Sequence, residues 1–160
     1  NSSKYPIGLI NIIKDGEKGI SLSLDETLTT MATFRSGGKV LYGIVGIGYN
    51  LKDDGKSLYA VESGLGAHIN IAKQFRINTE VTNQFLSDFK KGEYSKYNLR
   101  ILPAYRFGKF ELFAGPTFNY VNYTKDKGTG LIKNYMWSKA GSRDFQGIYI
   151  GAVGGIQFIL

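Results

Sequence analysis

His68 is the single histidine of the chain and the first candidate for catalysis. It follows Glu62 by six residues, and in a strand this even spacing places both side chains on one face. A hydrolase that attacks lipid acyl chains needs a nucleophile beside its histidine and a carboxylate to orient it. Ile69 and Asn70 follow His68, so the chain has no His-x-Ser arrangement. We therefore predict a non-enzymatic protein and assign no catalytic residue.

Two further groups have the residue types of binding sites but not the required context. The glycine run 43–48 superficially resembles a phosphate-binding loop, but such loops lead into a helix, and no helical pattern follows. The acid pairs Asp25-Glu26 and Asp53-Asp54 lack the spacing of a defined calcium loop. Without cysteine the chain cannot form a zinc-thiolate site. We expect no metal and no cofactor.

The composition indicates which elements carry these residues. The chain has 160 residues with 21 Gly, 11 Tyr, 10 Phe and only 3 Pro, and long stretches are rich in strand-forming residues. Its size predicts a single domain over 1–160. No apolar run reaches the length of about 18 residues that a membrane-spanning helix requires. The start at Asn1 suggests a processed or trimmed N-terminus. The expected fold class is all-β.

Period-2 alternation predicts eight strands, several of them longer than is usual in soluble proteins. The predicted strands are 5–13, 19–35, 39–50, 57–71, 74–86, 95–107, 109–123 and 146–160. A tilted strand of 13 residues spans on the order of 33 Å, which covers an apolar band of about 25 Å. If Asp25-Glu26 is instead a turn, the count rises to nine or ten. We predict an antiparallel transmembrane β-barrel.

The connections alternate between short turns and longer loops, as they do in outer-membrane barrels, where the short turns face the periplasm. The predicted short turns are 36–38, 72–73 and 108–109, and the longer loops are 51–56, 87–94 and 124–145. Both termini are then expected on the short-turn side.

Alternation alone does not decide which face is inside, because a soluble lipocalin-like barrel buries the apolar set that a membrane barrel shows to lipid. The lysines favour the membrane barrel, because all 15 avoid the strand middles, whereas soluble sheets often carry lysine on exposed strands. The polar face instead carries charges that can pair inside, with arginine suited to bidentate contact with carboxylates. We predict a polar interior network of Glu62, His68, Arg76, Glu80, Arg100, Arg106 and Glu111, with room made by Gly46, Gly48, Gly64 and Gly66.

Aromatic residues of the apolar parity fall near the strand ends, where membrane barrels carry interfacial girdles. On the short-turn side we predict a girdle of Phe34, Phe75, Phe107, Phe110 and Phe158. On the loop side we predict a girdle of Tyr49, Tyr59, Phe85, Tyr97 and Tyr120.

Most lysines are expected on the loop rim, where they could attract lipid phosphates or acidic glycans. These are Lys14, Lys18, Lys52, Lys56, Lys90, Lys91, Lys96, Lys125, Lys127, Lys133 and Lys139, together with Arg143. Nucleic acid is not an expected partner, because the lysines do not line one sheet face. Loop 124–145 is long enough to be functional. Its predicted contact residues are Tyr135, Met136, Trp137, Lys125, Lys127 and Lys133.

Two segments resemble known outer-membrane proteins. The end of the chain, with Ile156, Phe158 and Leu160, resembles the terminal assembly signal of bacterial outer-membrane proteins, which usually ends in Phe. The motifs at 6–11, 14–16 and 32–37 (PIGLIN, KDG and ATFRSG) resemble a largely uncharacterised family of Bacteroidetes outer-membrane barrels. The resemblance implies a barrel in the outer membrane of a Gram-negative bacterium and no particular activity.

The function expected from the sequence is that of a structural or accessory outer-membrane subunit acting through its surface loops. Its expected partners are membrane lipid, lipopolysaccharide and a larger outer-membrane protein complex. The alternatives are a lipid-modifying enzyme, a narrow channel and a soluble ligand-binding barrel. An eight-stranded barrel leaves room for packed side chains or one small ligand, which disfavours a general pore.

Overall fold

A computed structural model describes residues 17–51, 59–87, 93–124, 136–140 and 144–160. These residues form nine strands: β1 Lys18–Asp25, β2 Thr29–Gly37, β3 Leu41–Asn50, β4 Tyr59–Asn70, β5 Phe75–Ser87, β6 Glu93–Phe107, β7 Phe110–Thr124, β8 Trp137–Ala140 and β9 Asp144–Ile159. None of the described residues forms a helix with the length and hydropathy that crossing a bilayer requires.

The sheet closes on itself through eight of these strands. Each strand from β1 to β6 pairs antiparallel with the next, β7 pairs with β9, and β9 pairs back with β1. The short strand β8 pairs with the start of β9, where Trp137 is opposite Ile148. It lies on the same edge of β9 as β1, which pairs with the end of that strand. The predicted fold class, an all-β antiparallel barrel with eight strands, is confirmed.

The eight strands of the barrel are not the eight that the sequence predicted. The predicted strand 19–35 is two strands, β1 and β2, joined by a turn at residues 26–28. The Asp25 carboxylate accepts hydrogen bonds from the backbone N–H of Thr27 (2.9 Å) and Thr29 (3.1 Å), and Leu28 has a left-handed φ of 59°. A three-residue hairpin loop that ends in this conformation is a common turn. The predicted strand 5–13 lies outside the described residues.

Three short turns lie at one end of the barrel. The turns after β2, β4 and β6 are short, and the last of them uses Gly108 at φ 62°. They lie on the same side as the start of β1 and the end of β9, since Lys18 is opposite Ser36 and the N–H of Leu160 bonds to the Lys18 carbonyl (2.9 Å). We call this end the short-turn mouth. The predicted loop 124–145 is not entirely a loop, because it contains β8.

The polarity of the barrel is inverted relative to a soluble protein. Large apolar side chains are exposed along the outer wall, including Ile20, Leu22, Val45, Ile47, Val61, Leu65, Val81, Leu99, Leu112, Ile150 and Ile156. The side chains that point inward are mostly polar, including Ser21, Thr33, Asn50, Thr82, Gln84, Asn98, Thr117, Asn119 and Gln157. The side chains of both predicted girdles point outward. All ten of these aromatic side chains are exposed except that of Tyr120, which is half-buried.

One part of the interior is apolar, and it lies behind a gap in the strand pairing. Leu102, Ala104, Phe113 and Val153 form a buried cluster. Pairing between β6 and β7 is interrupted between Arg100–Thr117 and Ala104–Phe113. Pro103 and Pro116 lie in this gap, and proline cannot donate a ladder hydrogen bond. The apolar cluster thus fills the interior where the wall is least tied together.

Candidate functional site

The middle of the barrel is filled by an ion-paired group that we call the central cluster: Arg35, Tyr42, Glu62, Glu80 and Arg100. Glu80 accepts from Arg35 Nε (2.9 Å) and from the Tyr42 hydroxyl (2.8 Å). Arg100 Nη2 lies 2.6 Å from Glu62 Oε2, and its Nη1 lies 3.4 Å from Glu80. All five residues are at most 5% exposed. Two arginines and two glutamates therefore neutralise each other away from water, as buried charges must.

A second group, the mouth cluster, lies at the short-turn mouth and consists of Glu17, Arg76, Arg106 and Glu111. Arg76 Nη2 lies 2.8 Å from both Glu17 and Glu111, and Arg106 Nη2 lies 2.8 Å from Glu17 and 3.3 Å from Glu111. Burial would by itself raise the pKa of Glu17, but the hydrogen bonds and charges of Arg76 and Arg106 outweigh it and lower that pKa. Glu17 is therefore ionised across the neutral range.

His68 connects the two clusters. Its ring stacks on Tyr42 with centroids 4.3 Å apart, and its Nδ1 lies 2.8 Å from Asn78 Oδ1. The Asn78 amide donates to Glu111 (3.2 Å), and an ionised carboxylate can only accept. The Asn78 oxygen must then accept from His68 Nδ1–H. Among the described residues, the bonded partner of the ring is an amide rather than a nucleophile.

A third interaction, at the loop end, corrects one sequence prediction. Lys96 was expected on the surface rim, but it is only 3% exposed and points into the barrel. Its Nζ lies 2.9 Å from Asp25 Oδ2, and Glu26 lies 3.9 Å away. Lys96 shares the inward parity of Asn98 and Arg100, so the alternation of β6 already placed it inside. The carboxylate of Asp25 thus orders the turn and neutralises the lysine.

The predicted interior residues are found in these clusters, with additions. Glu62, His68, Arg76, Glu80, Arg100 and Glu111 are buried, and Arg106 is partly exposed. Sequence reasoning missed Arg35, Glu17, Asp25 and Lys96. Arg35 had a readable signal, because it shares parity with Ser21 and Thr33, and its guanidinium bonds to both hydroxyls. Glu17 precedes the first strand, so no alternation marked it.

The interior charges balance, which places the net charge elsewhere. The three groups contain five basic side chains (Arg35, Arg76, Lys96, Arg100, Arg106) and five acidic ones (Glu17, Asp25, Glu62, Glu80, Glu111). The formal net charge of +7 is therefore carried by other residues. Four exposed lysines, Lys18, Lys39, Lys73 and Lys109, lie at the short-turn mouth, one at the start of β1 and one in each short turn. Lys18 was predicted on the loop rim, and this prediction is wrong, because Lys18 lies at the opposite end of the barrel.

The short-turn mouth also contains a cavity of about 200 Å³. Its charged and imidazole lining comes from Glu17, Lys39, His68, Lys73, Arg76 and Arg106. Of the described residues, four with cationic side chains and one carboxylate line this space, and the two arginines among them are paired with Glu17 and Glu111. In the described ranges, no three or more histidine, aspartate or glutamate side chains are placed to hold a metal ion.

The predicted surface contact is only partly described. Met136 and Trp137 are 69% and 45% exposed at the loop end. Lys139 is exposed on β8. The remaining predicted loop residues, Tyr135, Lys125, Lys127, Lys133, Lys14, Lys52, Lys56, Lys90, Lys91 and Arg143, lie outside the described residues, as do Asp53 and Asp54.

Comparison with known proteins gives no family. No protein-family model matches the chain, and no curated protein matches it. A solved structure described as "De novo design of transmembrane beta-barrels" aligns with 91% of this chain and 94% of its own, at 13% identity and a TM-score of 0.48. The fold assignment therefore rests on the strand pairing itself.

Proposed function

We propose that this chain is an outer-membrane barrel of a Gram-negative bacterium, with a filled interior and no catalytic activity. The observation that carries the proposal is the inverted polarity: an apolar outer wall surrounds an interior of paired charges. In water the exposed wall would far exceed the apolar patch of a soluble monomer, whereas in lipid it is the favourable surface. Closure of the sheet satisfies the edge hydrogen bonds that lipid cannot.

Electrophoretic mobility after refolding in a non-ionic detergent tests this membrane assignment. An intact barrel is expected to migrate differently in SDS before and after boiling. A single mobility in both samples, or a monodisperse protein in buffer without detergent, would overturn the proposal. A variant, Leu65→Lys, tests the same assignment by placing a charge at an exposed position on the outer wall. It should reduce the folded fraction, because a lipid-facing lysine costs about 2–4 kcal/mol at the bilayer midplane.

Filling of the interior supports a structural rather than a transporting role. The side chains of the central cluster meet across the barrel from β2, β3, β4, β5 and β6. We expect no stepwise conductance above background in planar bilayers. A steady channel of the wild-type protein would favour the narrow-channel alternative. The enzyme alternative predicts that His68→Ala changes lipid A acylation in cells, and we expect no change.

The loop end supplies the proposed contact with partners. Trp137 is the only tryptophan of the chain and is exposed beside Met136, so its fluorescence reports on this surface. We expect its emission to shift to the blue when the refolded barrel binds vesicles containing lipopolysaccharide, and not with phosphatidylcholine alone. An unchanged spectrum with both vesicles would contradict a glycolipid contact at this position. The accessory role and the Bacteroidetes resemblance belong to the same proposal.

A further inference from the structure

We infer that a groove in the outer wall, along β2 near the loop end, holds one acyl chain of a membrane lipid. The groove has a volume of about 560 Å³, within the range of about 300–1,000 Å³ typical of ligand sites. Outward side chains of four strands line it, including Leu22, Thr30, Ala32, Ile47, Tyr59 and Val61. The inference rests on the proposed membrane setting, in which this wall faces hydrocarbon.

The groove arises from the strand register. Ala32 on β2 is opposite two larger side chains, Leu22 on β1 and Ile47 on β3. Thr30, the preceding outward residue of β2, is opposite Tyr49 on β3. Neighbouring strands lie about 4.8 Å apart, so β1 and β3 are roughly 10 Å apart across β2. Two short side chains between rows of longer ones therefore leave a trough that runs along β2.

The two ends of the groove differ in chemistry. Toward the short-turn mouth, the next outward residue of β2 is Phe34, whose ring ends the trough. Toward the loops, Tyr49 and Tyr59 pack with ring centroids 5.6 Å apart. They belong to the loop-side girdle, and such tyrosines lie at the level of the lipid headgroups. The groove thus has hydroxyl groups at its loop end and hydrocarbon at its foot, which matches an acyl chain joined to its ester.

The surrounding lipid identifies the occupant. An apolar groove that opens into hydrocarbon does not attract water, and an empty one loses the dispersion contacts of its lining. The walls cannot close over the space, because continuous pairing from β1 to β4 fixes the distance between them. A flexible acyl chain can follow the trough and gains contacts on three sides instead of one. A chain in the groove should therefore be held more firmly than the lipid around the rest of the wall.

A tryptophan reporter tests the groove, since Trp137→Phe removes the single tryptophan of the chain. In this background Tyr59→Trp places the reporter in the groove, and Tyr97→Trp is the matched control outside it. The two tyrosines are 50% and 51% exposed, and each packs against a tyrosine of the adjacent strand. Phosphatidylcholine with brominated acyl chains, which quench tryptophan on contact, is titrated into the full chain refolded in dodecyl maltoside.

The groove reporter should lose fluorescence until one lipid is bound per barrel and then reach a plateau. The control reporter should lose fluorescence only in proportion to the lipid content of the micelle. Indistinguishable titrations of the two reporters would overturn the inference.

A pair of matched substitutions tests whether the shape of the groove causes binding. Ala32→Phe fills the floor of the groove and should abolish the plateau seen with the Tyr59→Trp reporter. Ala114→Phe makes the same change at an exposed alanine of β7 that does not line the groove, and it should leave the plateau unchanged. A plateau that persists in Ala32→Phe, or that both variants remove, would overturn the inference. If Ala32→Phe does not refold, the two reporters decide the question by themselves.

Sedimentation of the same samples detects a different occupant. If a second copy of the chain fills the groove, the wild-type barrel should sediment as a dimer that Ala32→Phe dissociates, and this result would overturn the lipid assignment. The mobility of the refolded protein in SDS before and after boiling is measured in parallel. A barrel with heat-dependent mobility but no plateau would contradict the groove alone, whereas the absence of heat-dependent mobility would contradict the membrane assignment. The two proposals therefore fail separately.

Discussion

The central and mouth clusters contain the same four charges, two arginines and two glutamates, but differ in their surroundings. In the central cluster the side chains of Arg35 and Arg100 are 6% and 5% exposed, and those of both glutamates are not exposed. In the mouth cluster, Glu17 and Arg106 have side-chain exposures of 24% and 31%, and the cavity lies beside them. Buried charge is tolerated only when every partner is present, whereas water can replace a partner at the mouth. We therefore expect the central cluster to contribute more to the stability of the barrel than the mouth cluster does.

The largest expected effect is that of Glu80→Gln. This change removes the charge that Arg35 and Arg100 share, and it leaves both guanidinium groups undercompensated in the barrel interior. We expect the free energy of unfolding to fall by about 3–5 kcal/mol, as for removal of one partner of a buried pair. Urea unfolding in non-ionic detergent, with refolding yield as a second readout, measures it. Glu17→Gln is the matched substitution in the mouth cluster, and equal losses in the two variants would contradict the comparison.

Gly66→Ala tests the central cluster through its packing. A Cβ at position 66 would overlap the Tyr42 ring, which is held by Glu80 and by the stacked His68. We expect a loss of about 1–3 kcal/mol from overpacking. Gly43→Ala is the control on β3, because a Cβ there meets nothing closer than the Ser36 carbonyl at 3.7 Å. If both variants unfold at the wild-type urea concentration, the interior is less tightly packed than described.

Glu17→Gln should have a small effect. The carboxylate is partly exposed and Glu111 remains to neutralise Arg76 and Arg106. We expect a loss below about 1 kcal/mol, typical of exposed ion pairs, which decreases further at high salt. The same urea unfolding at low and high sodium chloride measures it. A loss comparable to that of Glu80→Gln would show that the mouth cluster is as structural as the central one.

The smallest expected effect is the pH dependence of the contribution that Glu17 makes to stability. The pKa of Glu17 is lowered in the folded barrel, so its contribution to stability is complete above its unfolded pKa of about 4.3 and is lost as the pH falls through the lower folded value. The difference in unfolding free energy between wild type and Glu17→Gln should therefore be constant near pH 7 and should disappear in strong acid. A difference that grows on acidification would contradict this sign.

The Asp25–Leu28 turn shows where sequence reasoning failed. The last residue of this turn, Leu28, adopts φ 59°, a conformation that favours glycine or asparagine. Leu24 and Leu28 have the same apolar parity on either side of Glu26, so the segment was predicted as one strand in spite of this charge. The turn is held by contacts distant in sequence: Lys96 pairs with Asp25, and the Ala152 carbonyl accepts from the Glu26 N–H (3.1 Å). The local signal was the Asp25-Glu26 pair, for which the sequence also allowed a turn: the Asp25 carboxylate accepts from the backbone N–H groups of Thr27 and Thr29.

The sequence by itself determined which strand side chains face inward, that the girdle aromatics face outward, and three of the short connections, but not the turn at 26–28. These features follow from the two-residue period of a strand and from turn composition, which are local properties. The tertiary structure alone decided which charges meet, because Arg35 finds Glu80 45 residues away and Arg106 finds Glu17 89 residues away. Such pairs depend on the register of every intervening strand and on closure of the barrel, where a shift of one residue would turn each side chain to the other face.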